Sequence, residues 1–218
     1  MSNYTGNKKG AIDVTAHFDR IQAILQDVPD GVTKAWKSIM SRAATTANSE
    51  AIKGITSVYD IKAKDVRDRE NTTIRIKTIV EGDRVVGEIT YSGNKIPLYR
   101  FGVKNRSPIR QKRGVQVDID GRRVWVRPGG AVHARQLKDR AYRRIYGGFI
   151  ATMPNGHSGI FQRKGRARLK IREVMGASTA QMVARVQVMD KVETATLETI
   201  AKRTEVEITR ILNGYGAR

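Results

Sequence analysis

Apolar residues recur along this chain with two periods, and the change from one to the other divides it. Phe18, Ile21, Ile24 and Leu25 follow helical spacing until Pro29-Asp30-Gly31 punctuates the run. A longer helical stripe comes next: Val32, Trp36, Ile39, Met40, Ala43 and Ala47, continuing through Ala51 towards Ile55. Several of these residues are small and would let another helix approach closely, so the stripe predicts packing along a second helix, in the same subunit or the next. Ile61, Ala63 and Val66 predict a short helix before Glu70.

From Thr72 the period becomes two. Ile74, Ile76 and Thr78 alternate with Arg75 and Lys77, and Glu81-Gly82-Asp83 turns the chain into Val85 to Tyr91, which predicts a hairpin. Ile96 to Phe101 reads as extended, with Pro97 favouring an edge because it cannot donate to a ladder. A basic loop, Lys104 to Arg113, leads to a second hairpin. Its signals are Val115, Val117 and Ile119 before Asp120-Gly121, and Val124 and Val126 after it. Leu137, Ala141 and Ile145 suggest a short cationic helix over Ala134 to Tyr146, ended by Gly147-Gly148.

Phe149 to Met153 and Ile160 to Gln162 read as paired strands around a Pro154 to Gly159 turn. Leu169 and Ile171 alternate with Arg168, Lys170 and Arg172. Ser178 is a plausible cap for a short helix through Met182 and Val183. The chain closes in an amphipathic helix from about Val188 to Leu212 whose predicted buried face is Val192, Ala195, Leu197, Ile200, Ala201, Ile208 and Ile211.

These elements predict an α+β fold: a small, mostly antiparallel sheet with long N- and C-terminal amphipathic helices packed on it. Three consecutive regions are expected within one structural domain. They are a helical region 1–71, a basic β-rich core 72–175 with an inserted arm near 128–146, and a helical region 176–218. At 218 residues the chain can enclose an ample core.

Charge sharpens this division. Between Arg100 and Arg172 stand 20 basic residues and three acids, Asp118, Asp120 and Asp139, a net +17 out of the chain's +20. The flanks are therefore almost balanced, and the central segment is the part that attracts polyanions or acidic protein surfaces. Cysteine is absent, so disulfides and thiolate metal sites are excluded and a reducing compartment suits the chain. No apolar run approaches the ~20 residues of a membrane span, and the first residues lack a signal-peptide core, so a soluble protein without membrane partners is expected.

Catalytic patterns do not emerge. His17, His133 and His157 fall in different predicted elements without metal-ligand spacing. His157 reads as a turn residue bonded to its own loop; general-base chemistry would require a partner such as Glu173 within hydrogen-bond reach. Asp118 and Asp120 share a strand face and could bind a cation, or pair with Arg122 and Arg123. No catalytic residue, cofactor or metal is expected. The dense constellation is basic: Arg110, Lys112 and Arg113; Arg140, Arg143 and Arg144; and Arg163, Lys164, Arg166, Arg168, Lys170 and Arg172. Such residues suit subunit contacts, a solvated face, or sequence-independent phosphate contact with strong salt dependence.

The segment Gly148 to Met182, a hairpin, a basic strand and a short helix, together with Ile96 to Phe101, resembles the bacteriophage minor tail protein Z family. The resemblance covers about half the chain at motif level, and the long helices at both ends agree with it in order and type. It implies a structural virion protein of a long-tailed phage that completes the tail and joins it to the head. It also implies assembly in the bacterial host cytoplasm into a homo-oligomeric ring, commonly six-fold, whose partners are further copies and the tail terminator and head-closure proteins of the neck. Non-specific contact with genomic DNA in the lumen is compatible with it. Arg127 to Tyr146 departs from the family pattern as an Arg-rich addition between two strands.

Overall fold

A computed structural model describes residues 6–68, 73–81, 84–105, 115–119, 122–126, 132–165 and 170–214. The chain runs β1 (Gly6–Asp13), α1 (Thr15–Leu25), α2 (Gly31–Val58), α3 (Ala63–Arg67), β2 (Thr73–Glu81), β3 (Arg84–Gly93) and β4 (Lys95–Pro97). It continues with β5 (Gly102–Asn105), β6 (Val115–Ile119), β7 (Arg122–Val126), β8 (Val132–Arg135), β9 (Arg143–Arg144), β10 (Gly148–Thr152) and β11 (Ser158–Arg163). It ends with β12 (Ile171–Glu173), β13 (Met175–Ser178), α4 (Thr179–Val183) and α5 (Val186–Leu212). The fold is mixed α+β. The expected single sheet is instead several small antiparallel ones, distributed over two compact units, neither of them a continuous stretch of chain.

The first unit combines residues 1–55, 67–94 and 179–218. Its sheet has the order β1-β3-β2, with Asp13 opposite Val86 and Ile79 opposite the same residue on the other side. The hairpin β2–β3 matches its alternating pattern. β1 does not: the expected polar leader is an edge strand, because tertiary pairing with β3 organises a stretch whose residues alone show no period. Helix α2 lies over this sheet. Tyr91 hydroxyl donates to the Ala47 carbonyl at 3.3 Å, and Trp36 Nε1 donates to Thr78 Oγ1 at 2.9 Å.

Along α2 the buried positions Ala35, Ile39, Ala43, Ala47, Ala51 and Ile55 recur every four residues. The predicted helix partner belongs to the same chain. Ser38 Oγ donates to Glu207 Oε1 at 2.8 Å, Thr199 Oγ1 donates to Thr46 Oγ1 at 3.2 Å, and Gly54 faces Val188. As the number rises on α2 it falls on α5, so the two helices run antiparallel. A Cβ at Gly54 would stand 2.9 Å from Val188 Cγ1, which explains glycine at that approach. The small-residue stripe is thus used up within the chain.

Helix α5 forms where predicted, and its predicted face is right in part. Val192, Ile200, Ile208 and Ile211 are buried, joined by Val188, Thr196 and Thr204, whereas Ala195 is half-buried and Leu197 and Ala201, expected inside, are exposed. Threonine can occupy interior positions here because Thr196 Oγ1 donates to the Val192 carbonyl at 2.5 Å and Thr204 Oγ1 to the Ile200 carbonyl at 2.9 Å. Glu207 is buried as well, and its two oxygens are bonded to Ser38 and to Arg210.

The second unit combines residues 56–66 and 95–178. Its strands form the sets β13-β4, β5-β8-β9, β6-β7 and β10-β11-β12. The hairpins β6–β7 and β10–β11 follow the sequence pattern, with Ile119 opposite Arg122 and Phe149 opposite Phe161. Two expectations fail. Leu98–Arg100 is a 3₁₀ turn rather than extended chain. Residues 134–146 form no helix: β8 is the middle strand of its sheet, burying Val132 and Ala134, and Leu137 bridges to Tyr59. The described part of the supposed arm near 128–146 is therefore integral to a sheet.

Candidate functional site

Three cations and a tyrosine meet on the outward face of the β5-β8-β9 sheet. Strand β8 buries Val132 and Ala134, so alternation turns His133 and Arg135 the other way. Register places Lys104 opposite His133 and His133 opposite Arg144, one row across three strands. Beside the row stands Tyr142. The Lys104 ammonium lies 4.5 Å and the Arg135 guanidinium 4.6 Å from the centre of its ring. The next tyrosine, Tyr146, carries Arg144 at 5.3 Å. Cations held over tyrosine rings gain a modest attraction and keep their stems on apolar surface.

One carboxylate organises this cluster. Asp60 Oδ2 accepts from Arg135 Nε at 2.6 Å and from the Tyr142 hydroxyl at 3.5 Å, while Arg135 Nη1 donates to the Lys138 carbonyl at 3.2 Å. The hydrogen bond to Asp60 pushes the Arg135 pKa up from its already high ordinary value. Asp60 itself is fixed by backbone pairing, its N–H donating to the Gln136 carbonyl at 2.8 Å. Glycine at 102 makes room for the carboxylate; any Cβ there would overlap it.

The basic residues singled out in the sequence separate into groups. Arg140, Arg143 and Arg144 are exposed and adjoin or form β9. Arg163, Lys164, Lys170 and Arg172 belong to the other three-stranded sheet of this unit and its turn. There Lys164 N–H donates to the Lys170 carbonyl at 2.7 Å, Arg163 lies 5.2 Å over the Phe149 ring, and Arg172 donates twice to Gln162 Oε1. Arg110, Lys112, Arg113, Arg166 and Arg168 lie outside the described residues. Sequence reasoning missed Asp60, Arg135, Lys138 and Tyr142 as a cluster. Alternation of His133 and Arg135 with Val132 and Ala134 was the available signal.

His157 has the partner that general-base chemistry would need: Nε2 and Glu173 Oε1 are 2.8 Å apart, both side chains part-buried. It also keeps the turn role, its N–H donating to Asn155 Oδ1 at 3.1 Å. The adjacent hydroxyl, Ser158 Oγ, shares a 2.7 Å hydrogen bond with Thr152 Oγ1, and the imidazole stands edge-on to Phe161. The arrangement ties the hairpin tip to β12. Backbone register sets Asp118 opposite Arg123, and Asp120 lies outside the described residues. Among the described residues no three His, Asp or Glu side chains form a metal-holding group, and no helix is long and apolar enough to cross a membrane.

Comparison of the chain with known protein families, with curated proteins and with solved structures found no match.

Proposed function

We propose that this chain is a structural subunit of a tailed bacteriophage, a ring-forming minor tail or neck protein that completes the tail and joins it to the head. The resemblance at Ile96 to Phe101 and Gly148 to Met182 supports this reading, as does the order of long helix, small antiparallel strands and long helix. The observation that carries it is the outer surface of α5. Val186 and Leu197 are 70% and 38% exposed. Eleven residues apart, they lie about three turns along one face, and exposed Ala201 follows Leu197 by one turn. A helix that buries one stripe inside its own unit and leaves apolar residues outside has a surface to offer a neighbouring copy. Closure of a ring requires a second, complementary surface, for which the segment Gly148 to Arg172, with Arg163 on β11 and Arg172 on β12, is the candidate. The ring's further partners are the tail terminator and head-closure proteins.

Native mass spectrometry and electron microscopy of the purified chain test the reading. Leu197→Asp should convert rings to monomers with helix content unchanged, since the site is already wet. Rings from that variant would remove α5 from the interface. Normal joined, infectious particles from a null mutant would remove the joining role altogether.

A further inference from the structure

We propose that the outward face of the β5-β8-β9 sheet docks the phosphate backbone of duplex nucleic acid, with Lys104 and Arg144 as its principal contacts. The two residues are at the ends of the row through His133, on the two outer strands, each about 4.8 Å from β8, so their backbones are roughly 10 Å apart. Both side chains are laid on tyrosine rings, Lys104 on Tyr142 and Arg144 on Tyr146. Their positions are therefore set before a ligand arrives, which lowers the ordering cost of binding.

Among the described residues, Asp60 is engaged by Arg135 and Tyr142, and Asp139 is exposed on the turn that also carries Lys138 and Arg140. Arg135 has Nε on Asp60 and Nη1 on a carbonyl. It acts as a positioning residue that fixes Tyr142 rather than as a primary contact.

Composition of the patch selects the partner. The centres of protein–protein interfaces are apolar and depleted in charge, whereas nucleic-acid interfaces are polar and strongly positive. Here the one large exposed apolar group among the described residues of the face is Tyr146, already under a guanidinium. The described face is made of short strands, the outer one of two residues, and carries no helix, so its contacts go to the backbone rather than to bases. The inference concerns a sheet of the second unit, whereas α5 belongs to the first, and does not depend on the ring reading.

Fluorescence anisotropy of a labelled mixed-sequence duplex with the full chain, over a salt series, tests it. The wild-type chain should bind two unrelated sequences equally, with log affinity falling linearly against log salt. Lys104→Gln with Arg144→Gln should flatten that slope by about 1.8, at roughly 0.9 for each phosphate left unneutralised. Removal of two exposed charges from α5, Lys191→Gln with Lys202→Gln, should leave it unchanged. No binding at low salt, or a slope that responds to the α5 pair and not to the sheet pair, overturns the proposal. Polyglutamate bound more tightly than duplex, and released by the same sheet substitutions, overturns it in favour of an acidic protein partner.

Discussion

Where distant segments meet in the first unit, the side chains are mostly aliphatic: Ile21 and Leu25 of α1, Ile39 and Ile55 of α2, and Val192 and Ile200 of α5 are all essentially inaccessible. In the second unit several corresponding junctions are polar. Asp60 meets Arg135, Asp65 meets Arg100 at 3.3 Å, His157 meets Glu173, and Gln136 Oε1 accepts from the Ala177 N–H at 3.0 Å. The difference follows from element length. Helices of 28 and 27 residues present continuous apolar stripes, whereas strands of two to six residues expose few inward positions and need directional bonds to fix their order. Aliphatic junctions fail on burial of charge; directional ones fail when a partner is moved out of hydrogen-bond reach.

The largest break should come from charge in the aliphatic unit. Ile200, 1% exposed, cannot become Asp without burying an unpaired carboxylate, at a cost on the order of 4 kcal/mol against a domain stability of roughly 5–15. Ile200→Asp should lower the unfolding free energy by about that amount, read from chemical denaturation followed by helical circular dichroism. Wild-type melting would show that the helix face assigned here is wrong.

Displacement is the corresponding insult to the polar unit. Gly102→Ala should drive the Asp60 carboxylate off Arg135 and cost about 1–3 kcal/mol. Hydrogen exchange should accelerate over β5, β8 and the Tyr142 segment while α5 keeps its protection. Equal loss in both units would erase the distinction.

Smaller effects sharpen it. Burial holds the Tyr91 phenol protonated well above its ordinary pKa near 10, so the folded state binds a proton that the unfolded chain releases first. Stability from this group is complete below pH 10 and falls above it, by at most about 1.4 kcal/mol per pH unit until the folded phenol ionises. Denaturant titrations of Tyr91→Phe should show a shallower alkaline decline than wild type; parallel curves would mean that the phenol does not ionise on unfolding. Least of all should Thr204→Val matter. The Ile200 carbonyl keeps its helical partner when the hydroxyl goes, so the change should stay within about 1 kcal/mol by chemical denaturation. A loss of twice that would assign the hydroxyl another task.

Much of this architecture could be read from periodicity. The helix of Val32 to Ile55, the hairpins at Val115 to Val126 and Gly148 to Arg163, and the last helix each have a pattern internal to one segment. Failures occurred where another segment decides. Gly6 to Asp13 is a strand because β3 pairs with it. Leu137, Ala141 and Ile145 imitate helical spacing, but Tyr59 and β5 capture their neighbours. Leu197 looked more buried than Thr196 because hydropathy cannot register a hydroxyl satisfied by its own helix. At the candidate site, Arg144 was among the basic residues singled out, whereas Lys104 and Arg135 were not, and the grouping was not legible. Asp60 lies 75 residues from Arg135, and the His157–Glu173 pair depends on the third strand's register.

The antiparallel pairing of α2 with α5 also orders events during synthesis. A ribosome releases Val58 about 150 residues before Leu212, an interval on the order of ten seconds at typical elongation rates. Through that interval Ile39, Ala43, Ala47 and Ala51 have no α5 to cover them. All the segments of the second unit, by contrast, have been made once Ser178 emerges. The nascent chain thus carries a finished basic domain alongside an open apolar helix, and a ribosome stalled within the last helix would leave a product that is charged, folded in part and prone to aggregate.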